Sequence, residues 1–184
     1  MKLVSDRLEL PIAVGNVSSY LRVPTPGSAM SEAECTRAVV EAADCQLLHD
    51  VNDVNDVYVN AISFGPDPVE ALLAMPLERA VQIHLAGHHT RDQHRAPTLL
   101  IDTHGAPIVD SAYNLLAAAA RAFAERGLPV PTVLLAREHH LPSLPKLFAE
   151  LDRRTSIHRA WATTLMSRPP FAPSSLATQQ LLRR

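Results

Sequence analysis

Cysteine is scarce: Cys35 and Cys45 are the only two in 184 residues. Two thiols cannot build a disulfide framework, so a reduced, cytoplasmic setting is the expectation. They also rule out the Cys-rich spacing of a structural zinc site. Aromatic residues make up 4%, too few for platforms on which nucleic-acid bases stack. Positive charge is not in excess. Seventeen basic residues face nineteen acidic ones, a formal net charge of −2, which argues against a nucleic-acid partner held by bulk electrostatics. No apolar run reaches membrane-spanning length, so no membrane association is expected. The opening Met1-Lys-Leu-Val-Ser-Asp-Arg7 is too polar for the apolar core of a signal peptide. What remains is 47% hydrophobic and 20% charged, the make-up of one soluble globular domain with a sizeable core.

Strand and helix patterns alternate along the chain. Leu10-Pro-Ile-Ala-Val14 reads as a buried strand, Gln46-Leu-Leu-His-Asp50 as a second, Val81–Leu85 as a third, Thr98–Asp102 as a fourth and Pro131–Ala136 as a fifth. Between them, Ser31-Glu-Ala-Glu34 is a capping box for a helix over about 32–44, with Cys35, Val39 and Ala42 or Ala43 on its inner face. Asp67-Pro-Val-Glu70 starts another helix. Asp110 is expected to cap a helix from Ser111 to Arg126, ended by Gly127, and Ser143 to cap a last helix that ends near 159–165. Continuous apolar strands separated by helices predict a parallel sheet covered on both faces, hence an α/β fold. One domain is expected over 1–165, followed by a loosely ordered Pro/Ser-containing tail over 166–184.

Histidine is what the chain has in quantity, and five of the nine fall between Val81 and His104. On an extended strand alternate side chains share a face, so Gln82 and His84 point opposite to Val81, Ile83 and Leu85. After His88-His89 and a short polar loop, Asp102 and His104 are expected to share a face opposite Leu99 and Ile101. An Asp-x-His pair beside a strand carrying His suits a carboxylate–imidazole metal site. The tandem Asp50-Val-Asn-Asp53-Val-Asn-Asp56 adds acids at the end of another strand. It lacks the glycine and closing glutamate of a calcium loop, and such a run also serves as a turn. Every polar cluster lies at or after the C-terminal end of a strand, the rim on which α/β barrels build their sites.

Four stretches in order carry a further resemblance: Asn16-Val-Ser-Ser-Tyr20, Asp53-Val-Asn-Asp-Val-Tyr-Val-Asn60-Ala, Val81-Gln-Ile-His-Leu-Ala-Gly-His88 and Ile101-Asp-Thr-His104. From about Leu8 to Ala149 the chain resembles the multinuclear non-haem iron-dependent oxidative enzymes (MNIO), the family that matures methanobactin and bufferin peptides. The resemblance implies a TIM-type (β/α) barrel, here a partial barrel of about four to five βα units matching its C-terminal half. It implies two or three iron ions, oxygen-dependent modification of cysteine in a ribosomally made peptide, and a partner protein that presents that peptide. It assigns His84, Asp102, His104 and one of Asp50 and Asp53 as metal ligands, with Asn16, Asn55, His88 and Glu138 around them.

Three departures stand against a complete site. Gly15 and Ala136 occupy positions where the family has glutamate, Asp56 stands where it usually has asparagine, and the repeated triplet looks like an insertion. Glu138, two residues beyond Ala136, is placed to compensate in part. Half a barrel also leaves two sheet edges to be covered, by a homo-oligomer among other means. The readings in competition are an iron-dependent oxidative enzyme, a truncated non-catalytic fragment acting as a binding or assembly module or with no function, and a hydrolase or isomerase with one divalent metal, which fold alone permits.

Overall fold

The structure is a computed structural model that describes residues 2–16, 30–53, 67–93 and 96–166. In chain order its elements are α1 (Lys2–Leu8), β1 (Ala13–Gly15), α2 (Glu32–Ala43), β2 (Gln46–Asp50), α3 (Pro68–Ala74), β3 (Ala80–Leu85), β4 (His88–Gln93), β5 (Ala96–Asp102), α4 (Asp110–Arg126), β6 (Thr132–Leu135) and α5 (Leu144–Met166). Four strands form one sheet in the order β1-β2-β3-β6, every pair parallel. The chain is thus a mixed α/β protein with a four-stranded parallel sheet, and helices connect the strands as parallel pairing requires.

The sequence signals at helix ends operate largely as expected. Ser31 Oγ accepts from Glu34 N while the Glu34 carboxylate accepts from Ser31 N, closing the capping box. Asp67 caps α3 with Pro68 in its first turn. Gly127 ends α4 at φ 65°, a left-handed conformation that glycine adopts without a Cβ clash. Asp110 differs from expectation. Val109 is the cap residue, and Asp110 opens the helix with its carboxylate held by Arg153 of α5 at 2.7 Å.

Three other expectations are corrected. Residues 98–102 do not join the parallel sheet. They lie in β5, which pairs antiparallel with β4 in a separate hairpin, so the expected loop after His88 is itself a strand and the sheet has four members rather than five. The inner face of α2 is Ala33 and Val40, while Cys35 and Val39 are exposed. Alanine, valine and cysteine line two stripes of this helix, and Arg37 faces Glu78 from between them. The first strand is neither long nor buried: it spans three residues, and Leu10 before it is exposed. Finally, α1 was not signalled by the sequence.

The core lies between one sheet face and the helices. Leu47, Ile83, Leu85 and Val133 of the sheet meet Leu116 and Phe123 of α4. Each fully buried leucine, isoleucine or phenylalanine here contributes about 2 kcal/mol. Phe123 and Trp161 of α5 lie with ring centroids 5.1 Å apart, which fixes the last helix on the fourth. The opposite sheet face is built, by register, from Ala13 and Gly15, Leu48 and Asp50, Gln82 and His84, and Thr132 and Leu134. It is only partly covered: Ala13, Gly15, Thr132 and Leu134 are exposed. The expectation of two covered faces therefore fails on this side. The tail over 167–184, Asn55 and Asp56 lie outside the described residues.

Candidate metal centre

The C-terminal end of the partly covered face holds a cluster of acids and imidazoles. Asp50 and His84 are register partners on β2 and β3, and His84 Nδ1 lies 3.7 Å from Asp50 Oδ2. His104 arrives from the hairpin. It sits two residues past β5 at φ 49°, a left-handed backbone that a histidine adopts only when its surroundings hold it there. Its Nε2 lies 3.2 Å from Asp102 Oδ2 and 3.4 Å from Asp50 Oδ2. Its carbonyl accepts from Glu138 N at 2.9 Å, which ties the end of the hairpin to the end of β6. Beside it Gly87 passes so close to the backbone of Ala106 and Pro107 that any Cβ would collide with their carbonyl oxygens.

A layer of amides sets these groups. Asn16 follows β1 and extends its pairing with β2 through its side chain. Its Nδ2 donates to Asp50 O at 2.9 Å and its Oδ1 accepts from Asp50 N at 2.8 Å. His49 Nδ1 lies 3.2 Å from the same oxygen. Asp50 Oδ1 accepts from the backbone of Asn52 and Asp53, which leaves Oδ2 for the two histidines. Asn52 Nδ2 donates to Asp102 Oδ1 at 2.9 Å, and Asn52 Oδ1 lies 3.1 Å from His88 Nδ1. Gln82 Nε2 lies 2.9 Å from His84 Nε2.

Asn16→Ala would remove both backbone partners of the buried Asp50 peptide groups. A loss of about 3 kcal/mol is expected, read as a lower urea midpoint with an unchanged slope.

The electrostatics divide the histidines. Hydrogen bonds to Asp102 and then Asp50 raise His104 to about 11, more than offsetting its burial, so it is an imidazolium at neutral pH. Burial lowers His84 against the pull of Asp50. Asp102 is pushed up by burial but pulled further down by His104, and it ends below the usual carboxylate range. Full burial lowers His49 to about 4 against the pull of Asp50, and His49 Nε2 has no hydrogen-bond partner among the described residues.

His49 gives a pH prediction. Its folded pKa lies below the ordinary 6.5, so the unfolded chain takes the proton first. Stability should fall as pH drops from about 6.5 through about 4, by on the order of 3 kcal/mol. His49→Gln should flatten that part of the stability curve measured by urea unfolding.

The structure brings together five of the residues singled out by sequence. Asp50, His84, Asp102 and His104 meet directly, and Glu138 Oε1 lies 3.3 Å from His104 Nδ1. Asp53 is one step removed, with its carboxyl hydrogen-bonded to Asp102. Asn16 and His88 hold the surrounding layer, while Asn55 lies outside the described residues. Asn52 and His49 were not singled out. Asn52 had a signal, since it stands two residues past a strand-end Asp in the first triplet.

Two carboxylates and two imidazoles are donors of the kind that iron, manganese or zinc accepts. Among the described residues, however, no three such side chains are disposed to enclose an ion. A cation already bridges the carboxylates: the His104 imidazolium lies between Asp50 and Asp102. The donor set thus fits a metal ion in kind, with a proton on His104 standing in its place. Next to it a cavity of about 420 Å³ is lined by Asp102, Thr103, His104, Glu138 and His139.

A parallel α/β sheet with carboxylates and imidazoles gathered at its C-terminal rim defines a class of proteins that hold ligands at strand ends. Within that class, residues 1–159 match the family model described as RiPP precursor modification enzyme MbnB/TglH/ChrH, and the chain belongs to that family. A UPF0276 protein of Pseudomonas aeruginosa is 45% identical over 159 residues, covering 86% of this chain and 51% of its own. One of Shewanella amazonensis is 43% identical over 153 residues, covering 83% and 50%. One of Nitrosospira multiformis is 41% identical over 151 residues, covering 82% and 48%. The chain spans about half the length of the curated relatives it matches. No helix among the described residues is long and apolar enough to cross a membrane.

Proposed function

We propose that this chain carries the C-terminal half of an iron-dependent oxidative (β/α) barrel that modifies cysteine in a ribosomally made peptide. The observation that carries this reading is the meeting of Asp50 and His84 of adjacent strands with Asp102 and His104 of the hairpin. Family membership supplies the peptide substrate class. Asp50, His84, Asp102 and His104 would hold the iron, with Asp53 and Glu138 beside them. Bound iron would supply the oxygen-dependent redox chemistry.

The chain's own residues prepare and shape the site. Asn16 and the backbone of 52–53 fix the Asp50 carboxylate, Asn52 fixes Asp102, and Gln82 fixes the His84 ring. To serve as a ligand, His104 would release the proton that it now holds between Asp50 and Asp102. The cavity at Thr103 and His139 is open to a side chain the size of cysteine. A presenting partner protein would deliver the peptide there.

The second reading, a non-catalytic family fragment, is favoured by Gly15 and Ala136, which bring no donor to the rim. The test is anaerobic loading of the purified chain with ferrous iron, then air and a cysteine-containing precursor peptide. Near-stoichiometric iron and a mass change on the peptide are expected. A small fraction of one iron per chain, with the peptide unchanged, would leave the fragment reading.

A further inference from the structure

The parallel sheet ends on both sides in a strand that has no further partner among the described residues. Gln46 N donates to Ile12 O, so Ile12 and Val14 turn their backbone groups toward β2. By the alternation of a parallel ladder, Ala13 and Gly15 point theirs outward. At the other edge Ala136 N donates to Leu85 O, so Val133 and Leu135 face outward. Two edges of equal sense are therefore available for pairing.

The sheet also has a face that it does not cover. Parallel sheets are found with both faces buried. Here Thr132 and Leu134 are exposed on the face opposite the helices, Leu134 at 44%. Gln82, His84, Ala13 and Gly15 share that face. The mixture of small, polar and aliphatic side chains suits the filled interior of a small barrel.

We propose that a second copy of this chain covers that face, the two copies closing one eight-stranded parallel barrel. The four parallel strands among the described residues of each copy supply, twice over, the number a TIM-type barrel requires. A two-fold axis along the barrel leaves strand direction unchanged. It lays β1 of each copy beside β6 of its partner, so two equal seams satisfy all four edges at once. The same operation sets the two acid–imidazole clusters around one mouth, and the described residues of one copy do not enclose an ion alone. The proposal rests on the barrel reading above and extends it from half a rim to a whole one.

The test is the mass of the full chain in solution by light scattering after size exclusion. Twice 20.1 kDa is expected. Ala13→Pro removes an N–H that points away from β2, and proline is tolerated on an edge strand. Leu134→Asp places a charge that water reaches in one copy and that a closed barrel would bury. Each should return the mass to 20.1 kDa with the helical circular-dichroism signal retained. Thr132→Lys, at another exposed position on the same face, repeats the test should either variant fold poorly. A wild-type chain of 20.1 kDa would overturn the proposal and give the covering role to another polypeptide segment. A dimer whose mass none of these variants changes would overturn it equally. Iron content measured on the same samples separates the readings. A dimer without iron keeps the seams and removes the iron chemistry, and an iron-loaded monomer does the reverse.

Discussion

His104→Ala should lower iron affinity by more than about 100-fold, beyond the 10–100-fold that supporting residues cost at metal sites. His104 Nε2 lies within 3.4 Å of both Asp50 and Asp102. Removing it takes away the imidazole proposed as a ligand and the cation that lies between the two carboxylates. Competition against a chromogenic chelator reads the affinity directly. Unchanged affinity would take His104 out of the site.

The same substitution has a metal-free consequence of opposite sign to that of His49. His104 is raised from 6.5 to about 11, so its ion pairs stabilise the fold in full below about pH 6.5 and are lost as pH rises toward 11. His104→Ala should therefore flatten the alkaline side of the metal-free stability curve, while His49→Gln flattens the acid side. Two histidines on one rim thus report separately, one through burial and the other through its acids.

The parts of the fold legible in sequence were those with one dominant signal. Gln46–Asp50 and Val81–Leu85 are apolar runs with alternating faces, and their register puts Asp50 opposite His84. Caps at Ser31, Asp67 and Gly127 were readable because each is a short-range contact. The hairpin was not. His88-His-Thr-Arg-Asp-Gln93 is polar at every position, so neither strand periodicity nor an apolar run marks it. Only pairing with β5 makes it a strand.

The site was legible in membership more than in mechanism. Asp102 and His104 do meet, but strand alternation is not the cause, because His104 lies beyond β5 in a left-handed turn. The tandem triplet left Asp50 and Asp53 undecided. Tertiary contacts separate them: Asp50 faces both histidines, whereas Asp53 is turned to Asp102. Of the amides that hold the acids, Asn16 is marked only by the family resemblance and Asn52 only by its place in the first triplet, and the partners of their side chains are remote in sequence.

Gly15→Glu should strengthen iron binding by about tenfold or more, or about 1.4 kcal/mol. The family resemblance places a glutamate at this position, and the structure has room for one. Among the described residues, a Cβ built on Gly15 approaches nothing closer than Leu48 Cδ2 and Leu48 O, both at 3.9 Å, ordinary contact distances. Gly15 is not among the residues with positive φ, so an L side chain brings no backbone strain. By register residue 15 lies opposite Leu48 on the face that carries Asp50, and the next residue is the Asn16 that clamps Asp50. A carboxylate there adds a hard oxygen donor at the strand end where the present cluster has none. The chelator competition that weakens with His104→Ala should strengthen with Gly15→Glu, and the double variant tells whether the new carboxylate joins the same site. If the two effects are independent, the glutamate binds iron elsewhere. If loss of His104 cancels the gain, both belong to one centre.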